Sequence, residues 1–147
     1  MSTAAAPGRI IVGVDGSHHA DEALAWALDE ARLRGCTLQV LYAFPALVSY
    51  AGTTAHEYYP AVEKEAQQIF DRALAAMPEH SDVVVERTLV PGNPAGQLVE
   101  ASRDATLLVV GSRGIGGFRG MLIGSVSTHC VHHAHCPVVV IRQNEPE

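Results

Sequence analysis

The sequence predicts an α/β domain built on an open, five-stranded parallel sheet with helices on both faces. Five short β-type runs alternate with four helical runs along the chain, which is the pattern of parallel strands joined by helical crossovers. The first run, residues 9–15, is nearly continuously apolar up to its closing acid, as in a strand buried on both faces. A length of 147 residues fits one domain. We expect a core at about 8–142 between flexible tails at 1–7 and 143–147.

Local signals place the individual elements. Ser17 is a predicted N-cap of the first helix, Gly35 suits the position just past its end, and Pro94 suits the first position of the third helix. We interpret the one long connection, residues 45–60, as mobile surface. The predicted strands are 9–15, 37–44, 83–90, 106–110 and 137–142, and the predicted helices after the first are 61–77, 94–103 and 124–134.

Composition and charge exclude several classes of protein. Sixteen acidic against ten basic residues give a net charge of −6, which is not the electrostatic footprint of a nucleic-acid binder. No apolar run approaches the roughly 18 residues of a membrane helix, and the N-terminus lacks the basic and apolar segments of a secretory signal. The three cysteines are too few for a disulfide framework. We therefore expect a cytoplasmic protein with no nucleic-acid or membrane partner.

The most informative segment is the glycine-rich stretch 111–125, between the fourth strand and the fourth helix. It holds six of the chain's 13 glycines, together with Arg113 and Arg119. Glycine lets backbone N–H groups approach a bulky anion and permits φ > 0 where a loop curls. The helix that follows would aim its first free amides and its positive dipole end at the same place. These features together predict a phosphate-binding loop. The alternative is a flexible glycine loop without a ligand, because glycines are common at strand–helix junctions.

Strand order would place this loop at a crevice in the sheet. In open parallel sheets, ligands bind beyond the carboxyl ends of the strands where the strand order reverses. An order of 3-2-1-4-5 would make the ends of strands one and four, at Asp15 and Gly111, neighbours at that point. The P-loop motif is absent and the one lysine, Lys64, lies on the second helix. The turn at 13–17 is not a dinucleotide-binding fingerprint either.

The chain resembles the universal stress protein family over nearly its whole length, through four motifs that occur in order along the chain. They lie at 12–17, 90–95, 111–125 and 132–138, and the third has the spacing Gly-x2-Gly-x9-Gly-Ser of the family's ATP-binding branch. The resemblance implies a Rossmann-like, adenine nucleotide alpha hydrolase-like fold. It also implies a homodimer paired through the edge strand, residues 138–142, whose apolar run invites pairing with another chain.

The resemblance further implies an ATP site, or a site for another adenine nucleotide with Mg²⁺. Adenine would lie against Gly13, Ala43 and Val110, and Asp15 would lie near the ribose or a phosphate-bound Mg²⁺. Asp15 has a second interpretation, as an acid that caps the following helix. The implied nucleotide-binding residues are Gly13, Val14, Asp15, Ala43, Val110, Gly111, Arg113, Gly114, Gly124, Ser125, Val126 and Ser127.

Histidines on the fourth helix raise the question of a metal site. His129, His132, His133 and Cys136 fall on one helix face, and the His-x3-His spacing can hold zinc. We expect Pro137 to end the helix directly after Cys136, so that the thiol points away from the histidines. We expect the opposite stripe to face the sheet and the histidines to form a solvated surface without zinc. That stripe consists of Ser127, Cys130, Val131 and Ala134.

The resulting functional prediction is an ATP-binding universal stress protein that acts as a nucleotide-responsive regulatory or protective module. We predict no catalytic residue, because neither a second carboxylate nor a lysine is identifiable near Asp15 to support phosphoryl transfer. Three alternatives stay open: a slow Mg²⁺-dependent ATP hydrolase using Asp15, an AMP- or cyclic AMP-binding protein, and a purely structural dimer.

Overall fold

The computed structural model describes residues 7–45, 55–112 and 123–142. The predicted tails, apart from residue 7, and the loop residues Arg113, Gly114 and Arg119 lie outside this part of the chain. The elements in chain order are β1 (Arg9–Gly13), α1 (His18–Arg34), β2 (Thr37–Phe44), α2 (Ala55–Ala75), β3 (Val85–Pro91), α3 (Pro94–Ala101), a 3-10 turn (Ser102–Asp104), β4 (Leu107–Gly111), α4 (Ser125–His133) and β5 (Val138–Ile141).

The five strands form one parallel sheet in the order β3-β2-β1-β4-β5, which confirms the predicted topology. In the register, Val12 of β1 lies opposite Val40 of β2 on one side and Val109 of β4 on the other. The carboxyl ends of β1 and β4 therefore emerge side by side at one edge of the sheet.

The sheet is covered on both faces, because successive strand residues point to opposite sides. On one face, Ile10 and Val12 pack with residues of α1 and α2, such as Leu28 and Phe70. On the other face, a smaller cluster includes residues of β1, β2 and β4 with residues of α3 and α4. We call it the α3/α4 cluster; its buried members are Ile11, Leu41, Ala43, Leu98, Leu108, Val110 and Cys130.

Helix termini follow the predicted capping signals. The Ser17 hydroxyl accepts the amide of Ala20 at 3.4 Å, and Gly35 ends α1 in the left-handed conformation with φ 66°. Pro94 occupies the first turn of α3, behind an Asn93 side chain that accepts the amide of Gly96 at 3.0 Å. The three predicted capping positions are thus confirmed.

Several predicted boundaries are wrong. β1 ends at Gly13 rather than Asp15, because the Asp15 carboxylate accepts the Ser17 amide at 2.9 Å and the chain turns there. α2 begins at Ala55, so the last part of the predicted mobile connection is helical and contains Pro60. Val131 is half exposed rather than facing the sheet. The bounds of β2 and the starts of β1 and α3 are as predicted, and the other ends move by one or two residues, with a 3-10 turn replacing the end of the third predicted helix.

The described helices include none that is both long enough and apolar enough to cross a bilayer. α2, the longest of them at 21 residues, carries polar and charged side chains on its outer face.

Candidate functional site

The candidate site lies at the carboxyl edge of the sheet, between the ends of β1 and β4. Beyond β1 the backbone stays attached to the sheet for one more residue, because the Val14 amide donates to the Leu41 carbonyl at 3.0 Å. Beyond β4, the Ser112 amide likewise donates to the Ile141 carbonyl of β5 at 2.8 Å. Both strand ends are therefore held in place up to the point where the chain leaves the sheet.

The two ends of the glycine-rich loop are bonded to each other. The Ser112 carbonyl accepts the amide of Gly124. The Ser127 hydroxyl lies 3.1 Å from that same carbonyl and 3.1 Å from the carbonyl of Gly124. Ser112, Gly124 and Ser127 are all buried. We call these three residues the loop stem.

The loop stem fixes the start of α4 beside the strand ends. Gly124 is the N-cap in an extended conformation and has no side chain to accept the first amides of the helix. The Thr128 amide donates back to the Gly124 carbonyl at 2.9 Å, which begins the helical hydrogen-bond pattern. Helix geometry leaves the preceding amides, those of Ser125, Val126 and Ser127, without an intrahelical acceptor. Three donors at a positive dipole end are suited to an anion such as a phosphate.

The wall of the site on the α3/α4 face is apolar. A Cβ on Gly13 would lie 2.8 Å from Cδ1 and 3.1 Å from Cδ2 of Leu98, so glycine allows α3 to approach β1 closely. Ala43 and Val110 are buried in the same cluster, and half-buried Val126 packs against it. Leu98 was not predicted from the sequence as part of the site. The signal that could have indicated it is its position, because it is an apolar residue one turn after the predicted start of α3 at Pro94.

Asp15 is half buried at the turn between β1 and α1. Its carboxylate accepts the amide of Ser17, which precedes the first helical residue, whereas the cap of α1 is the Ser17 side chain; Asp15 therefore holds the capping residue and is not itself the cap. Its charge also acts on Tyr42 of β2, whose ring stacks on Phe70 with centroids 6.2 Å apart. Burial is the main cause that raises the pKa of Tyr42, followed by the negative charges of Asp15 and Glu65. Asp15 thus adds negative charge to the edge of the site.

The structure brings most of the predicted site residues to one edge of the sheet. Gly13, Val14 and Asp15 lie at the end of β1, Ala43 near the end of neighbouring β2, and Val110 and Gly111 at the end of β4. The segment 124–127 lies at the start of α4. Arg113 and Gly114 are outside the described residues.

The histidines of α4 lie apart from this site. His129, His132 and His133 are exposed, and the rings of His129 and His133 have centroids 4.4 Å apart. Cys136 is half buried against the α3/α4 cluster, with its thiol 3.4 Å from the Pro137 carbonyl. Burial raises its pKa, which opposes the thiolate form that zinc requires. Within the described ranges, no group of three or more His, Cys, Asp or Glu residues could hold a metal.

Comparison with known proteins identifies the family. The family model described as the universal stress protein family matches residues 7–142. The chain belongs to the universal stress protein family.

Among curated universal stress proteins, one from Mycobacterium bovis is 41% identical over 138 residues, which cover 92% of this chain and 45% of the relative. The chain thus spans about half the length of the curated relatives it matches. A solved universal stress protein from Archaeoglobus fulgidus in complex with dAMP is 26% identical, with a TM-score of 0.65 over 91% of this chain and 97% of that one. A second solved universal stress protein, in complex with cAMP, is 28% identical to this chain. Its TM-score is 0.61, and the match covers 94% of this chain and 98% of that one.

Proposed function

We propose that this universal stress protein domain binds an adenine nucleotide, with ATP as the preferred ligand, in the crevice between β1 and β4. The observation that carries the proposal is the placement of the first amides of α4, those of Ser125, Val126 and Ser127. They begin a helix without a side-chain cap, next to the end of β4, which is the neighbour of β1 in the sheet. Donors fixed in this way suit the phosphates of a nucleotide.

The charge of the domain makes the backbone the main source of phosphate donors in this proposal. The chain carries a net charge of −6, and its one lysine, Lys64, is exposed on α2. Arg113 would add a positive charge from the loop. Two relatives, 26% and 28% identical, were solved with dAMP and cAMP, which supports an adenine nucleotide as the ligand class.

In the proposed site, each part of the nucleotide has its own set of residues. The adenine would lie against Gly13, Ala43 and Val110, within an apolar wall that Leu98 extends. Val14 would lie beside it at the end of β1. The ribose and phosphates would be held by the backbone at Gly111, Gly114, Gly124, Ser125 and Val126.

Asp15 fits a role in holding Mg²⁺ through the nucleotide. The side chain is half buried at the strand end, and a carboxylate offers two oxygens as ligands. Mg²⁺ in nucleotide sites usually takes one or two carboxylates together with phosphate oxygens and waters, so one acid is sufficient. The metal would neutralise phosphate charge that Asp15 would otherwise repel.

We further propose that the domain is a nucleotide-responsive regulatory or protective module in the cytoplasm, working as a homodimer through β5. Cys36, Cys130 and Cys136 are all free thiols, which suits a reducing compartment. If the domain instead turns over ATP slowly, ADP release above the uncatalysed rate should be lost in Asp15→Asn.

A charge placed at the start of α4 tests the nucleotide site. Ser125 is exposed at the first helical position. In Ser125→Glu, the new acid favours the helix through the dipole and through the free amides, yet repels phosphate. We expect unchanged or higher thermal stability and at least about tenfold weaker ATP binding by calorimetry, equivalent to ~1.4 kcal/mol. Ser125→Gln is the matched neutral control and should bind ATP within about twofold of the parent. Equal ATP affinity in all three proteins would contradict the proposed site.

A second candidate function is AMP or cyclic AMP binding, favoured by the dAMP and cAMP complexes of the relatives. A site that holds a single phosphate would gain nothing from the β- and γ-phosphates. Titration of one preparation with ATP, AMP, cyclic AMP and adenosine separates the candidates. The proposed ATP preference predicts the tightest binding for ATP, whereas tighter binding of either monophosphate would support the second candidate.

A further inference from the structure

We infer that the Ser127 side chain positions the phosphates indirectly: its hydroxyl acts through the loop stem without touching the ligand. This inference rests on the proposed function, and it changes the role of the Ser127 hydroxyl from one of the implied nucleotide contacts to a support of the amides that contact the phosphates. The residue lies in the first turn of α4, so its own backbone amide still belongs to the proposed donor set.

The side chain of Ser127 is directed into the protein. The residue is 2% exposed and Ser112 is 3% exposed. The Ser127 hydroxyl lies 3.1 Å from the carbonyls of both Ser112 and Gly124. A hydroxyl has one proton to donate, so the two carbonyls share it. Because this proton is used within the stem, the hydroxyl is not available as a donor to a phosphate.

The contacts of Ser127 join the two ends of the loop to the sheet. The Ser112 carbonyl accepts from Gly124 as well as from Ser127, and the Ser112 amide donates to Ile141 of β5. The Gly124 carbonyl accepts from Thr128, the first hydrogen bond of the helix. A continuous set of hydrogen bonds therefore runs from β5 through the loop stem to the first turn of α4.

Removal of the hydroxyl would weaken this set at its buried centre. The Gly124 amide would then be the remaining described partner holding the Ser112 carbonyl to the start of α4. The first amides of the helix would sample more orientations, and binding would have to restrict them again. This cost in binding free energy applies only to ligands that bind those amides. Removal of the hydroxyl should therefore lower the affinity for phosphate-bearing nucleotides and leave the affinity for adenosine nearly unchanged.

The test compares Ser127→Ala and Ser127→Thr with Thr128→Ala. The neighbouring Thr128 is exposed and its side chain lies outside the loop stem, so its replacement is the matched control. Calorimetric titration with ATP and with adenosine gives the ratio of the two affinities for each protein. We expect Ser127→Ala to lower this ratio about fivefold, in the range of one buried hydrogen bond. Thr128→Ala should leave it unchanged, and Ser127→Thr, which keeps the hydroxyl, should restore it to within about twofold of the parent.

Hydrogen exchange on the same proteins provides a second measurement that does not depend on ligand. The amide of Gly124 should exchange faster in Ser127→Ala, while amides in the β1 and β4 strands keep their protection. An unchanged affinity ratio in Ser127→Ala would overturn the inference. An equal loss in Ser127→Ala and Ser127→Thr would also overturn it, because the effect would then come from packing. If the parent protein binds neither ATP nor AMP, the proposed function itself fails, which is a different result.

Discussion

At the scale of single residues, the apolar wall of the candidate site depends on one close contact between β1 and α3. Gly13 was predicted from its motif, but the structural reason for a glycine at this position is Leu98, whose methyl groups fill the space of the missing Cβ. These residues are separated by most of the chain, and no periodicity connects them. The same holds for Ser102, whose buried hydroxyl donates to the Val99 carbonyl at 2.6 Å and accepts the His135 amide at 2.9 Å. Contacts of this kind become visible only when the packing of α3 on α4 is known.

The Cys130 thiol makes the stability of the domain decrease at alkaline pH. Burial, and secondarily the charge of Cys136, raises the pKa of Cys130 from 9.0 to about 11. The unfolded chain therefore loses this proton at a lower pH than the folded protein does. The contribution of the thiol to stability is complete below about pH 9 and decreases as the pH rises towards 11.

Urea unfolding as a function of pH measures this effect. The free energy of unfolding should fall as the pH is raised through this range, and it should fall less steeply in Cys130→Ala. Some slope should remain in the variant, because the pKa values of Cys136 and Tyr42 are also raised. Identical slopes in the parent and in Cys130→Ala would contradict the assignment to Cys130.

Whole elements were predicted best where a local signal fixes their ends. α1 has a serine cap at its start and a left-handed glycine at its end, and both act through the backbone of their own neighbourhood. The start of α2 could not be predicted in this way. The second helix was predicted to start at residue 61, but it begins at Ala55 and contains Pro60. Proline removes one helical hydrogen bond and disfavours a helical conformation in the residue before it, so no local signal marks the observed start.

The end of α1 provides a stability prediction with a built-in control. Gly35 has φ +66°, and no atom lies within 4 Å of the position that a Cβ would take, so Gly35→Ala is strained only by its backbone. We expect a loss of about 1 kcal/mol in the free energy of unfolding. Gly96 of α3 has ordinary helical backbone, and an added Cβ would meet Asn93 no closer than 3.8 Å. Gly96→Ala should therefore stabilise the domain by about 0.5–1 kcal/mol. Equal effects of the two substitutions in urea unfolding would contradict this explanation.

At the scale of the whole molecule, the alternation of strands and helices predicted a parallel sheet with crossovers. The order 3-2-1-4-5 was the order that would make strands one and four neighbours and place the glycine-rich segment at a crevice. The predicted order is the one observed. The site was predicted less completely, because its apolar wall depends on how α3 packs, and because Arg113 and Gly114 lie outside the described residues.

The proposed homodimer depends on the open edge of β5. Among the described strands, β5 pairs only with β4. The amides of Leu108 in β4 and of Ser112 directly after it donate to the carbonyls of Pro137 and Ile141, respectively. In a parallel ladder the intervening Val138 and Val140 then direct their backbone groups away from β4. Among the described residues no other strand pairs with these groups, so they suit hydrogen bonding to a second chain.

Substitution of Val140 tests this edge. Val140→Pro removes an outward amide without removing a bond to β4, whereas Val140→Ala shortens the side chain and keeps the amide. By sedimentation velocity, we expect the proline variant to be a monomer and the alanine variant to remain a dimer. A dimeric proline variant would show that the subunits associate through another surface.

The bond between Ser112 and Gly124 has a practical consequence for engineering. Because the stem is closed on itself and joined to the sheet through Ile141, we expect that the sequence between its two ends can be exchanged without disturbing the stem. A stretch of the same length taken from another family member would start and finish on an unchanged frame. Ligand preference could then be transplanted between relatives while the scaffold is left as it is.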